Sequence, residues 1–382
     1  MMKTKSIFSN YFLIMLFLLI LISPFIQQIF RIVPPLENKE NRKLSEKPAF
    51  NINNLDPYPA AYESWYNDTF PFRNQFVKLY SDISFDWFKK SPFPDQVILG
   101  QKNNLFIVPK ELDNYRRNNL FTKEDLEKLR AEFQYRKHYL SQKGIDYYVA
   151  VCPDKYSIYP EYLPWYISHL DTISRTDQFV NLIQELGITM IDLREVLVNA
   201  KDSVSEPLYT ATDNHWNEYG SFFAYRAIMH QIEMKYPQVE TLGFSDFTIQ
   251  PEERRGGNLA HMINMQDRMM DVKYSFIPLS NKQIETIVSS PYPSPEDFQE
   301  SEFFKGYYIQ NTNLPKLLMI HDSFGKFVIP YFKDNFSRSV FIFDHWQYKL
   351  NEEIVEAEQP DIYVSLTLES LLQNLVDYPF KN

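Results

Sequence analysis

Short, mostly apolar runs alternate with amphipathic stretches along the greater part of this chain. Ile145 to Val151, Ile188 to Leu193, Leu317 to Ile320, Val340 to Phe343 and Ile362 to Leu366 read as strands buried on both faces. Between them lie helical patterns. Thr122 caps a helix whose Leu126, Leu129, Phe133 and Leu140 share one stripe, and Gly144 closes it. Arg175 to Leu186 is closed by Gly187, and Asn217 to Tyr236, Lys326 to Phe336, Glu352 to Glu358 and a final helix follow. A strand that is apolar on both faces needs cover on both, so the pattern predicts an α/β fold with a parallel sheet flanked by helices. Gln96 to Gly100 and Leu105 to Val108 read as a β-hairpin ahead of it. Pro237 to Pro315 breaks the alternation. It is expected to be an insertion with a short hairpin or two, facing the active-site end.

The N-terminus carries a different signal. Phe12 to Phe30 is almost wholly apolar and close to the length that spans a bilayer. Lys3 and Lys5 precede it with no acid between, which places the N-terminus in the cytoplasm, although Arg31 on the far side weighs against this slightly. A cleaved signal peptide is the competing reading. The run is long for one, and Ser23-Pro24-Phe25 is a poor cleavage site, so an uncleaved anchor is expected, with the rest of the chain outside the cytoplasmic membrane. Residues 1–33 then form the cytoplasmic tail and anchor, and 34–95 a proline-punctuated linker plus two lead-in helices broken at Pro71. Residues 96–382 form the main domain, with the insertion at about 237–315.

Several function classes drop out. A net charge of −10 argues against nucleic acid as a partner. The 9 glycines are scattered and form neither G-x-G-x-x-G nor a P-loop, so no cofactor site is expected. The 7 histidines include no zinc-ligand spacing, and no metal is expected; Asp213 and His215 are two conceivable ligands without an evident third. The single cysteine, Cys152, follows an apolar run and reads as a small buried hydrophobe.

Two stretches carry candidate chemistry. In Leu317-Leu-Met-Ile-His-Asp-Ser-Phe-Gly325, strand, turn and helix lift Ser323 to a sheet end with its N–H at a helix N-terminus, where it would face a developing negative charge. An ordinary helix cap is the other reading of the same residues. In Thr212-Asp-Asn-His-Trp-Asn217, an extended segment puts Asp213 and His215 on one face, since Asn217 looks like the cap of the next helix. A carboxylate there fixes the imidazole tautomer and frees the other nitrogen as a base. Asp344-His345 fits less well, because adjacent residues on a strand end face opposite ways. Lys155, at the end of the Ile145 to Val151 strand, is either an anchor for a hydroxyl-rich or acidic glycan or a solvated loop lysine; Tyr156 and Tyr159 are stacking candidates.

Asp213-Asn-His-Trp-Asn and His-Asp-Ser323-Phe-Gly, in that order, resemble the alginate O-acetyltransferase family of the AlgJ/AlgX type. Glu40-Asn-Arg-Lys-Leu44, Asn67-Asp-Thr-Phe-Pro-Phe-Arg73, Gly100 to Phe106, Pro153 to Pro160 and Gly257-Asn-Leu-Ala260 extend the resemblance. It implies an SGNH-hydrolase-like fold and a triad of Ser323 as nucleophile, His215 as base and Asp213 as orienter. It further implies acetyl transfer to an exported polysaccharide, with a multipass membrane-bound O-acyltransferase delivering the acetyl group. The chain departs from the family at Gly100-Gln-Lys-Asn-Asn-Leu-Phe106, which lacks Gly-Trp before Leu-Phe, and at Leu368-Glu-Ser370, which lacks the usual arginine. A carbohydrate acetyl esterase and a non-catalytic glycan-binding or assembly subunit are the alternatives. An appended carbohydrate-binding domain is not expected.

Overall fold

The computed structural model describes residues 2–34, 44–52, 55–280, 282–295, 298–310 and 312–378, without the side chains of residues 2–10. Lys3, Lys5 and the Glu40–Lys43 stretch used above therefore lie outside what is described at side-chain level. The chain divides into two compact units: residues 1–94 with 261–265, and residues 95–260 with 266–382.

The first unit is helical. Met2–Phe30 is one helix, and its Tyr11–Phe30 part has a mean hydropathy of 2.4, long and apolar enough to cross a membrane. Pro24 sits inside it. Proline has no N–H to give to the carbonyl four residues back, which is that of Ile20; the Ser23 hydroxyl donates to that same carbonyl at 2.9 Å. A local side chain thus satisfies the carbonyl that the proline leaves without its helix partner. Two further helices, Tyr58–Thr69 and Arg73–Asp86, are separated at Pro71, as the sequence predicts.

The second unit holds all eleven described strands: β1 Val97–Leu99, β2 Leu105–Ile107, β3 Asp146–Cys152, β4 Thr189–Asp192, β5 Phe247–Arg255, β6 Met270–Pro278, β7 Glu285–Ile287, β8 Phe304–Tyr308, β9 Lys316–His321, β10 Arg338–Phe343 and β11 Ile362–Leu368. The first two pair as the expected hairpin. Seven strands make the main sheet in the order β4-β3-β11-β9-β10-β8-β7. From β4 to β10 the pairing is parallel, whereas β8 and β7 add antiparallel. The sheet is therefore mixed, and the stretch expected to be a surface insertion supplies its last two strands as well as the β5–β6 hairpin.

Period-two alternation explains the apolar runs. Tyr148, Ala150 and Cys152 face one layer, with Phe222, Tyr225 and Ile228 of the Glu218–Glu233 helix and Val328 and Phe332 of the Gly325–Phe332 helix. Tyr147, Val149 and Val151 face the other, with Leu129, Phe133 and Leu140 of Lys123–Gln142 and Phe179 and Ile183 of Arg175–Glu185. Helix starts follow local chemistry: Thr122 and Ser174 each close a capping box, with Asp125 and Asp177. Cys152 is buried and burial pushes its thiol up, in keeping with an inert core residue. Three helical predictions need correction. Lys110–Arg116 and Leu193–Lys201 are helices that the periodicity did not reveal, and the final helix is a single turn, Asn374–Asp377.

Candidate active site

β9 ends at His321, and the chain turns through Asp322 and Ser323 before the helix begins at Gly325. The carboxylate of Asp322 builds this turn. Its Oδ1 accepts from the Phe324 N–H at 2.8 Å, and its Oδ2 accepts from the Tyr348 hydroxyl and the Leu368 N–H, both at 2.7 Å. Asp322 thus holds the turn ahead of the helix, which leaves the Ser323 hydroxyl for another partner. Gly325 is required by close approach, since a Cβ there would lie 2.4 Å from the His321 ring.

That partner arrives from the turn before the Glu218–Glu233 helix, 108 residues away in sequence. His215 Nε2 and Ser323 Oγ are 2.8 Å apart, and His215 Nδ1 and Asp213 Oδ1 are also 2.8 Å apart. All three side chains are partly exposed at this edge. Asp213 Oδ1 also accepts from the His215 N–H at 3.2 Å, and Oδ2 from the Asn258 N–H at 2.9 Å. Burial alone would raise the Asp213 carboxyl, but the hydrogen bonds and the charge of His215 outweigh it and hold the group well below the usual carboxylate range. The imidazole lies against the Phe324 ring (4.8 Å between centroids) and the Phe327 ring (5.6 Å). Trp216 Nε1 donates to the Phe324 carbonyl at 3.1 Å, a second tie between the two motifs. Asn217 caps the following helix as predicted, accepting from the Tyr219 and Gly220 N–H groups.

The other predicted site residues are not at this edge as free groups. Lys155 is fully buried, and its Nζ donates to the carbonyls of Leu105 (3.1 Å), Thr210 (2.8 Å), Ala211 (2.7 Å) and Asp213 (3.2 Å). It is neither a glycan anchor nor a solvated loop lysine. Tyr156 is fully buried with its hydroxyl on the Ile107 carbonyl, and Tyr159 is buried and accepts from the Leu208 N–H. Neither offers an open face for stacking. Asp344 also turns out architectural: it accepts from the Tyr348 and Lys349 N–H groups, and burial pushes its carboxyl up to about 6.

Phe327, whose ring is 5.6 Å from that of His215, also lines a groove of about 320 Å³ together with Tyr274, Phe276, Lys273 and Lys333. Sequence reasoning missed this groove, and also Asp271 and Glu111. The buried Glu111 accepts from the Asn214 amide at 2.9 Å, and burial pushes it up to about 8.

The sequence model of the SGNH hydrolase-like domain of the acetyltransferase AlgX matches residues 97–295. The chain belongs to this family. The matched segment contains Asp213 and His215 and stops short of Ser323. Solved structures agree on the fold. Bacillus cereus PatB1 with a sulfonyl adduct superposes with a TM-score of 0.56 at 14% identity, covering 75% of this chain and 99% of that one. A second structure of Bacillus cereus PatB1 gives 0.53 at 15%, covering 72% and 96%. The O-acetyltransferase domain of Pseudomonas putida AlgJ is also similar, at 15% identity over 72% of this chain and 91% of that one, but its TM-score of 0.46 is too low to add to the argument for the fold. No curated protein sequence matches the chain. Family membership makes this an SGNH-type acetyltransferase domain, and the expectations of fold and family made from the sequence hold.

Proposed function

We propose that the protein is an O-acetyltransferase that moves acetyl to hydroxyl groups of an exported polysaccharide through an acetyl-Ser323 intermediate. His215, bridging Asp213 and Ser323 at 2.8 Å on each side, is the observation that carries the reading. Ser323 Oγ attacks the acetyl carbonyl carbon while His215 Nε2 takes the hydroxyl proton. The oxyanion forms beside the Ser323 N–H, which has no partner among the described residues, and the proton passes to the leaving group. A sugar hydroxyl, deprotonated by the same nitrogen, then attacks the acetyl-serine and returns Ser323 to its starting state. Asp213 holds the tautomer throughout and faces the imidazolium.

The lysine- and aromatic-lined groove at Phe327 suits a glycan acceptor. Residues 1–33 are assigned as tail and membrane anchor, 34–95 as the linker with its two helices, and 96–382 as the catalytic domain on the extracytoplasmic side. A multipass membrane-bound O-acyltransferase is the proposed source of acetyl. The test withholds the acceptor. Full-length protein given p-nitrophenyl acetate should gain one acetyl on the peptide bearing Ser323, and an acceptor oligosaccharide should discharge it faster than water. Discharge by water alone at the same rate would make the protein an esterase. Acetyl on surface lysines and never on Ser323 would leave a non-catalytic glycan-binding role.

A further inference from the structure

The Asp213 carboxylate is borne on a turn that has almost no regular structure of its own, and the groups that hold it come from three distant parts of the chain. From below, the buried Lys155 ammonium reaches four carbonyls, three of them on the turn: Thr210, Ala211 and Asp213. From the side, the carboxylate of Asp271 on β6 accepts from the Ala211 N–H at 3.0 Å, from the Thr212 N–H at 3.4 Å and from the Thr212 hydroxyl. That same Thr212 oxygen accepts from the Gly257 N–H at 2.5 Å. Gly257 has no room for a side chain, because a Cβ would sit 2.9 Å from Asp213, and this closeness lets the next N–H, of Asn258, reach Asp213 Oδ2.

We propose that Lys155 and Asp271 are positioning residues that clamp the 210–213 turn from two sides and thereby aim the Asp213 carboxylate at His215. The proposal rests on the reading of Asp213, His215 and Ser323 as the catalytic set. Lys155 suits the task because a buried ammonium has three N–H donors and no acceptor, so it is satisfied only by a convergence of carbonyls. Carbonyls so tethered cannot rotate, and the direction of the Asp213 side chain follows from its backbone. Asp271 supplies the complementary half, an acceptor for the turn's N–H groups. It also explains why the β5–β6 hairpin belongs with the chemistry: the hairpin delivers the carboxylate that holds the turn. Among the described residues neither is hydrogen-bonded to Ser323 or His215.

Misaiming a catalytic group by about 1 Å costs on the order of 100-fold in rate without weakening substrate binding in step. Full-length Lys155→Met is expected to lose on that order in the rate of Ser323 acetylation by p-nitrophenyl acetate, with the KM for the ester unchanged. The downfield proton resonance of His215 Nδ1–H, a signature of its hydrogen bond to Asp213, should fade in the same variant. Thr212→Val, which removes the hydroxyl shared by Asp271 and Gly257, should fall in rate and lose the resonance in the same sense, and Thr212→Ser should restore both. Folding is checked by a cooperative circular-dichroism melt. If Lys155→Met does not fold, the Thr212→Val and Thr212→Ser pair decides the matter alone. Folded variants that keep wild-type rate and resonance, or a Thr212→Ser as damaged as Thr212→Val, overturn the clamp. Should wild-type Ser323 never be acetylated, the proposed function fails, and the resonance still judges the clamp, since it reports only the alignment of Asp213 with His215.

Discussion

The turn at 213–215 and the turn at 321–323 each bring an aspartate and a histidine to the same serine, the first across 108 residues of sequence and the second from the residues just before it, in contrasting surroundings. In the first, the histidine side chain is 20% exposed, and both its nitrogens are engaged, one by a carboxylate and one by Ser323. In the second, His321 is 2% exposed, and its Nδ1 meets only the backbone carbonyl of Asp322. The aspartates diverge in the same way. Besides two backbone N–H groups, Asp213 holds the His215 ring, whereas Asp322 spends its oxygens on two backbone N–H groups and the Tyr348 hydroxyl, and burial raises its carboxyl. Nearness to a nucleophile in sequence is therefore no guide to chemistry. Access and an outward-facing nitrogen decide which histidine can act as a base.

Side-by-side substitution should break the two turns apart. Ser323→Ala and His215→Ala are expected to cut acetyl transfer by on the order of 10⁴-fold or more, and Asp213→Asn by about 10³- to 10⁴-fold, with the fold intact. His321→Asn should keep the transfer rate within about threefold, measured at neutral pH and normalised to folded protein. A large loss in a folded His321→Asn would mean that the architectural histidine also takes part in the reaction.

Acid should separate them next. Burial, with Lys326 and Lys305 adding to it, holds His321 down at about 4, below its ordinary value in an unfolded chain. Between those two values the unfolded chain binds a proton that the folded one refuses. Stability is therefore present above about pH 6.5 and lost as pH falls toward 4, by about 3 kcal/mol from this residue. Urea titrations of His321→Asn should show a shallower fall across that window than wild type. An unchanged slope would show that His321 is not held neutral.

The smallest effect concerns packing at the nucleophile turn. Gly325→Ala should destabilise by about 1–3 kcal/mol, because the new methyl meets the His321 ring. In a His321→Gly background, which removes the ring and also the Cβ that the new methyl would meet at 2.5 Å, the same change should cost much less, and equal costs in both backgrounds would show that this side chain is not the obstacle.

Much of this was legible beforehand, for identifiable reasons. The spacing of Asp213 and His215 and the cap at Asn217 are local facts, and local facts survive folding. Strand runs such as Tyr147 to Cys152 announce themselves because both faces are covered. Lys155 was misread because sequence shows that a lysine ends a strand and not which way it points; its acceptors lie 50 to 58 residues away. The same separation hid Asp271 and Glu111, whose partners on the turn are 59 and 103 residues distant. β7 and β8 escaped because neither has an apolar run: β7 is a short edge strand that pairs with β8, and β8 draws its regularity from β10.

The order of the strands has a temporal consequence. β11, the last of them in sequence, lies in the middle of the sheet, paired to β3 on one side and β9 on the other. Until it arrives, β4 and β3 have no contact through the ladder with β9 and β10. Contacts so distant in sequence form late and slowly. A nascent chain emerging from its N-terminus therefore carries His215 well before Ser323, and the main sheet closes only when β11 pairs with β3 and β9.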